Sequence, residues 1–154
     1  MRVKAIPLLA IVLVLPAAGQ ESKSHPDFSG RWELVKEKSD FGNSSPPVRM
    51  TLVSEKRDSY LHSVQTTVTA EGEQVFESDW YPDGKQHKYD KPVPGYSTTR
   101  WEGQTLVSER KSDDGHYRAS IQLTMLSNGR EAIETLSYHT PEGDHRLRLF
   151  WRRQ

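Results

Sequence analysis

Turn signals recur along this chain with a beat that few folds can accommodate. They fall at Glu71-Gly72, Pro82-Asp83-Gly84, Pro94-Gly95, Glu102-Gly103, Asp114-Gly115, Asn128-Gly129 and Glu142-Gly143. The glycines at 72, 84, 95, 103, 115, 129 and 143 stand 12, 11, 8, 12, 14 and 14 residues apart. That spacing leaves room for one short strand and one tight turn at a time, which is the pattern of a hairpin meander.

The segments between the turns alternate with period two, as half-buried antiparallel strands do. Tyr117, Ala119, Ile121, Leu123 and Met125 share one face, against Arg118, Ser120, Gln122 and Thr124 on the other. Val48, Met50 and Leu52 do the same earlier in the chain. No stretch after residue 20 sustains a helical period. Turns and alternation together predict ten strands, at about 29–36, 47–56, 59–69, 74–81, 85–91, 96–102, 104–111, 116–126, 131–139 and 145–153. Ten strands joined by tight turns would leave exposed edges in an open sheet. Closure into an up-and-down barrel removes them. A two-layer sandwich would need longer crossovers than the single Ser39–Pro47 link. The predicted fold class is therefore all-β, an antiparallel up-and-down meander of about ten strands closed into a barrel.

The first residues are set apart from this domain. Arg2 and Lys4 form a basic start, Ala5 to Ala18 an apolar run, and Ala17-Ala18-Gly19 a small-residue cleavage site. This is the pattern of a secretory signal peptide over 1–19. The run of 14 apolar residues is short of the ~20 that a spanning helix needs, so no stable membrane anchor is expected. A flexible tail over 20–28 and a barrel domain over 29–154 then follow. Removing Arg2 and Lys4 turns 21 basic against 21 acidic residues into 19 against 21. The chain thus lacks the basic excess that nucleic-acid binding calls for. It has no cysteine, so an exported domain of this size would hold its fold without disulfides. A secreted or periplasmic bacterial setting is the expectation.

The barrel opens on Phe28-Ser29-Gly30-Arg31-Trp32-Glu33-Leu34. A Gly-x-Trp at the head of such a meander resembles the signature of the calycin barrels, the lipocalins and the intracellular fatty-acid-binding proteins. The resemblance implies that Trp32 plugs the closed end and that Gly30 lets the backbone pass close to it. In lipocalins a late Arg packs across that indole, a role open here to Arg148 or Arg152. Fatty-acid-binding proteins close instead with an inward Arg-x-Tyr that holds a carboxylate. Here Arg148-Leu149-Phe150 puts Phe in place of the Tyr, and half of the clamp is missing. Apolar burial also favours Leu147, Leu149 and Trp151 as the inward face, which turns the arginines out. The Ser39–Pro47 link is too short for the helical lid of that family. The chain looks closer to the short lipocalin-like domains of exported bacterial proteins.

The function implied is non-covalent binding of a small, largely apolar ligand in the barrel. Tyr60, His62, Trp80, Arg100, Tyr117 and Tyr138 are the expected lining groups, mixing apolar area with a few orienting polar atoms. Two alternatives stand beside this. One is a protein-interaction or envelope-accessory module with a filled barrel. The other is a haem-binding barrel resembling nitrobindin, with His139 as axial ligand and haem as the cofactor. Otherwise no cofactor, metal site or enzymatic role is expected: G-x-S-x-G, H-E-x-x-H, C-x-x-C and phosphate-loop motifs are absent. The six histidines include no i, i+2 pair.

Overall fold

The computed structural model describes residues 24–91 and 93–154. The expected signal peptide and residues 20–23 of the expected tail lie outside them. Ten strands follow in order: β1 (Gly30–Leu34), β2 (Arg49–Lys56), β3 (Leu61–Thr69), β4 (Gly72–Trp80), β5 (Gln86–Tyr89), β6 (Gly95–Glu102), β7 (Thr105–Ser112), β8 (Arg118–Met125), β9 (Glu131–Thr140) and β10 (Gly143–Arg153). Each overlaps one of the ten segments the alternation predicts. They form one antiparallel sheet in the order β4-β3-β2-β1-β10-β9-β8-β7-β6-β5.

β1 joins the two ends of the chain. Trp32 pairs with Leu52 on one side and Arg153 on the other. Each neighbouring pair twists the same way, so nine of them curl the ten-stranded sheet into a barrel. Hydrogen-bond closure stops one pair short, because among the described residues β4 and β5 share no ladder and form the two edges of a seam. The reason lies in the turn between them. Gly84 donates its amide to the Thr99 carbonyl on β6 at 2.9 Å, which draws the turn away from β4. The Tyr81 ring then stacks on His87 at 4.2 Å. β5 has only four residues, too few to follow the nine of β4.

Gly95 departs from the turn role its sequence context gives it. It is the first residue of β6, buried and without a positive φ. A Cβ there would overlap the Lys111 carbonyl and the Tyr89 ring, so it is close approach and not turn geometry that requires glycine.

β1 ends early, and the link to β2 continues along β10 in its place. Val35 donates to the Phe150 carbonyl, and Asp40 bridges Arg148. Ser39 Oγ accepts the Phe150 amide and donates to the Val35 carbonyl, both at 2.9 Å. Phe41 is buried beneath the link. A single 3₁₀ turn, Lys36–Lys38, is its only helical piece. The link therefore fills the space between β2 and β10 with extended chain.

The β10 register is the one that apolar burial favours. Leu147, Leu149 and Trp151 join the core, while Arg146, Arg148 and Arg152 are exposed. That core gathers at the Trp32 end, where Trp32 and Trp151 are 2% and 1% exposed. The segment before β1 belongs to it as well. Phe28 is buried, and His25 lies flat on Trp101 at 4.2 Å.

Candidate functional site

Trp32 closes one end. Its Nε1 donates to the Phe28 carbonyl at 3.0 Å, which pulls the incoming segment across the barrel base. A guanidinium does lie over the indole, but it belongs to Arg153, 4.6 Å from the ring centroid. Arg148 and Arg152 point outward and cannot reach it, since alternation sends even-numbered β10 positions to the outer face. Arg153 Nη2 also donates to the Asp27 carbonyl, at 2.6 Å.

Above this plug the barrel holds an inner chamber of about 150 Å³. It is lined by Leu52, Leu61, Ser63, Gln65, Phe76, Ser78, Trp80, Arg110, Tyr117, Ile121, Leu123, Glu134 and Leu136. A second space of about 370 Å³ opens to solvent at the far end, between the upper part of β4, Tyr89, Val93 and the turns at 113–117 and 140–143. The two share Phe76, Arg110 and Tyr117 as walls, so they adjoin one another inside the barrel.

Arg110 stands at their boundary. Its strand turns Leu106, Ser108, Arg110 and Ser112 inward, all of them buried. The guanidinium carbon lies 5.0 Å from the Trp80 ring centroid, 5.8 Å from Phe76 and 5.9 Å from Tyr89. This places the cation among aromatic faces. Burial pulls its pKa downward, opposed by Tyr117, Tyr89 and Glu134. Glu134 faces the inner chamber, open to the cavity yet enclosed by protein. Burial pushes its carboxyl up, against a 2.9 Å hydrogen bond from Trp151 Nε1 and the charge of Arg110. Burial likewise raises the Tyr89 and Tyr117 phenols.

The residues expected to line the cavity divide. Trp80 and Tyr117 do line it. His62 faces outward and holds Asp79 at 2.7 Å, because Leu61 and Ser63 take the inner positions of β3. Arg100 is also on the outer face, paired with Glu102 at 2.6 Å and Glu109 at 3.3 Å, since Ser97 and Thr99 occupy the inside of β6. Tyr138 packs between His145 and Tyr117, at 4.6 and 6.4 Å, and enters neither chamber wall. Tyr60 stacks on Tyr81 at 4.8 Å. It borders a separate cleft of about 310 Å³ at the plugged end, together with Trp80, Trp101 and Phe28. His139 is exposed on the outer face and bonded to Asp144 at 2.6 Å, so it cannot serve as an axial ligand inside the barrel. Arg110 and Glu134 were not anticipated. Parity with the apolar Leu106 and Leu136 was the signal that could have found them.

No family model matches the chain, and no curated protein matches it by sequence. Solved structures do. Zebrafish ileal bile acid-binding protein, complexed with cholic acid, is 12% identical at a TM-score of 0.58, over 82% of this chain and 98% of that one. Secretory abundant heat soluble protein 4 from Ramazzottius varieornatus is 12% identical at 0.57, over 82% and 94%. Fatty-acid-binding protein 1 from Echinococcus granulosus is 14% identical at 0.56, over 82% and 96%. At such identities the likeness speaks for architecture. Plug, meander and curl agree with it: the chain has a calycin-like fold, a curled ten-stranded barrel distantly similar to the fatty-acid-binding proteins.

Proposed function

We propose that the protein binds a small, largely apolar molecule non-covalently in the barrel. The observation that carries this reading is the pair of adjoining spaces inside the barrel, plugged at the Trp32 end and open at the other, with mainly apolar walls. Its outer compartment alone reaches the ~300 Å³ at which small-molecule pockets begin. Affinity would come from removing apolar ligand area from water, at roughly 25 cal/mol per Å² before the costs of association. Two of the similar structures are described as a bile acid-binding and a fatty-acid-binding protein, which supports the same reading. The basic and apolar start of the chain supports an exported, secreted or periplasmic setting. The reading assigns the chain no reaction and no haem.

Native mass spectrometry of the natively purified protein, followed by titration with the neutral fluorophore N-phenyl-1-naphthylamine, tests it. A co-purified adduct or saturable uptake of the fluorophore is expected. A bare mass with no uptake would overturn the reading and favour the interaction module with a filled barrel.

A further inference from the structure

Arg110 is 8% exposed, and among the described residues no acceptor meets it: it makes no hydrogen bond and no ion pair. Its Nε and the nearby Tyr89 hydroxyl are both buried without a partner. A buried cation ordinarily has a carboxylate or a set of acceptors around it, because desolvation without them costs several kcal/mol per ion. Glu134, the acid that lines the same chamber, is instead turned to Trp151. Ring faces surround the guanidinium, and they satisfy its charge but not its five N–H groups.

We infer that the ligand is a compact organic anion whose oxyanion head is held by Arg110 and the Tyr89 hydroxyl, where the inner chamber meets the mouth. This rests on the cavity-binding reading above. It places the anchor on β7 and β5 beside the seam, far from the C-terminal Arg148-Leu149-Phe150 stretch, whose arginine is exposed. A planar guanidinium grips a carboxylate or sulfonate in bidentate fashion. The inner chamber, at about 150 Å³, is too small for a long chain, so the apolar body extends toward the mouth, between Val93, Tyr117 and Pro141. Asp114 and Glu142 stand at that rim, and their repulsion grows with ligand charge, which favours an anion with a single charge over one with several.

Two probes with the same ring systems separate the inference from the reading beneath it. N-phenyl-1-naphthylamine is neutral, and 1-anilinonaphthalene-8-sulfonate adds one sulfonate. Both are titrated into the purified protein and into the Arg110→Met and Arg110→Lys variants, with a thermal melt confirming that each variant is folded. The sulfonate should bind at least about tenfold more tightly than the neutral probe. Arg110→Met should weaken the sulfonate far more than the neutral probe and so erase that ratio. Arg110→Lys, which keeps the charge and loses the fork, should fall between, and it decides the matter if the Met variant does not fold. Equal wild-type affinities, or a sulfonate preference that survives undiminished in the variants, would overturn the inference and leave the cavity reading standing. If neither probe binds, both are overturned.

Discussion

Arg153 lies across the indole of Trp32, its guanidinium carbon 4.6 Å from the ring centroid, and the same guanidinium holds the Asp27 carbonyl. The last strand thereby clamps the segment that enters the first. Trp32→Ala should cost about 3–5 kcal/mol in denaturant unfolding, as large aromatic truncations in a core do. Arg153→Ala should cost about 0.5–1 kcal/mol. Arg148→Ala and Arg152→Ala, both exposed, should stay within about 0.5 kcal/mol. A ranking in which Arg148 or Arg152 outweighs Arg153 would contradict the clamp.

Gly95 permits β5 and β7 to approach β6 on both sides. Gly95→Ala would drive its Cβ into the Lys111 carbonyl and the Tyr89 ring. A loss of about 1–3 kcal/mol is expected from this overpacking. Because Tyr89 lines the mouth, the same change should weaken uptake of the neutral fluorophore. A neutral effect on thermal unfolding would show that β5 gives way freely.

Glu134 makes stability depend on pH. Burial raises its carboxyl above the ordinary range, so the folded chain still holds a proton that the unfolded chain has released. Stability from this group therefore falls as pH rises from the unfolded to the folded value, and stays lower above both. Glu134→Gln keeps an acceptor for Trp151 Nε1 and removes the ionisation. Melting curves from pH 4 to pH 8 should show the variant gaining on the wild type as pH rises, by a few degrees at the upper end. The surface carboxylates whose pKa is lowered, such as Asp83 and Asp114, act in the opposite direction but cancel in the difference. A difference that does not vary with pH would contradict the assignment.

An unpaired buried cation is a burden on the empty barrel. Arg110→Met, similar in length and apolar, should leave the ligand-free protein as stable as the wild type or more so. Saturating 1-anilinonaphthalene-8-sulfonate should then raise the melting temperature of the wild type and not of the variant, since only the state that binds ligand is stabilised. A clearly lower melting temperature for ligand-free Arg110→Met would show that the ring contacts outweigh the desolvation.

The meander was legible because turns and alternation are local properties, and all ten strands stand where they predict. The site was less so, because the inner face of part of this barrel is its more polar face. On β3 the inward residues include Ser63 and Gln65, while Val64 and Val68 look outward, so an apolar criterion picks the wrong side and takes His62 with it. Arg100 fails for the same reason, against inward Ser97 and Thr99. The C-terminal arginine was within reach. An alternation that buries Trp151 sends position 153, not 148 or 152, to the side of Trp32. The seam was beyond sequence reasoning, since it depends on how far β5 can follow β4 in space.

The most direct measurement is a crystal structure of the protein with 1-anilinonaphthalene-8-sulfonate bound. The rings should lie toward the mouth, between Val93, Tyr117 and Pro141, with the sulfonate within hydrogen-bonding distance of Arg110 and the Tyr89 hydroxyl. A probe seated on the outer surface, or in the cleft beside Tyr60 with the cavity empty, would contradict it.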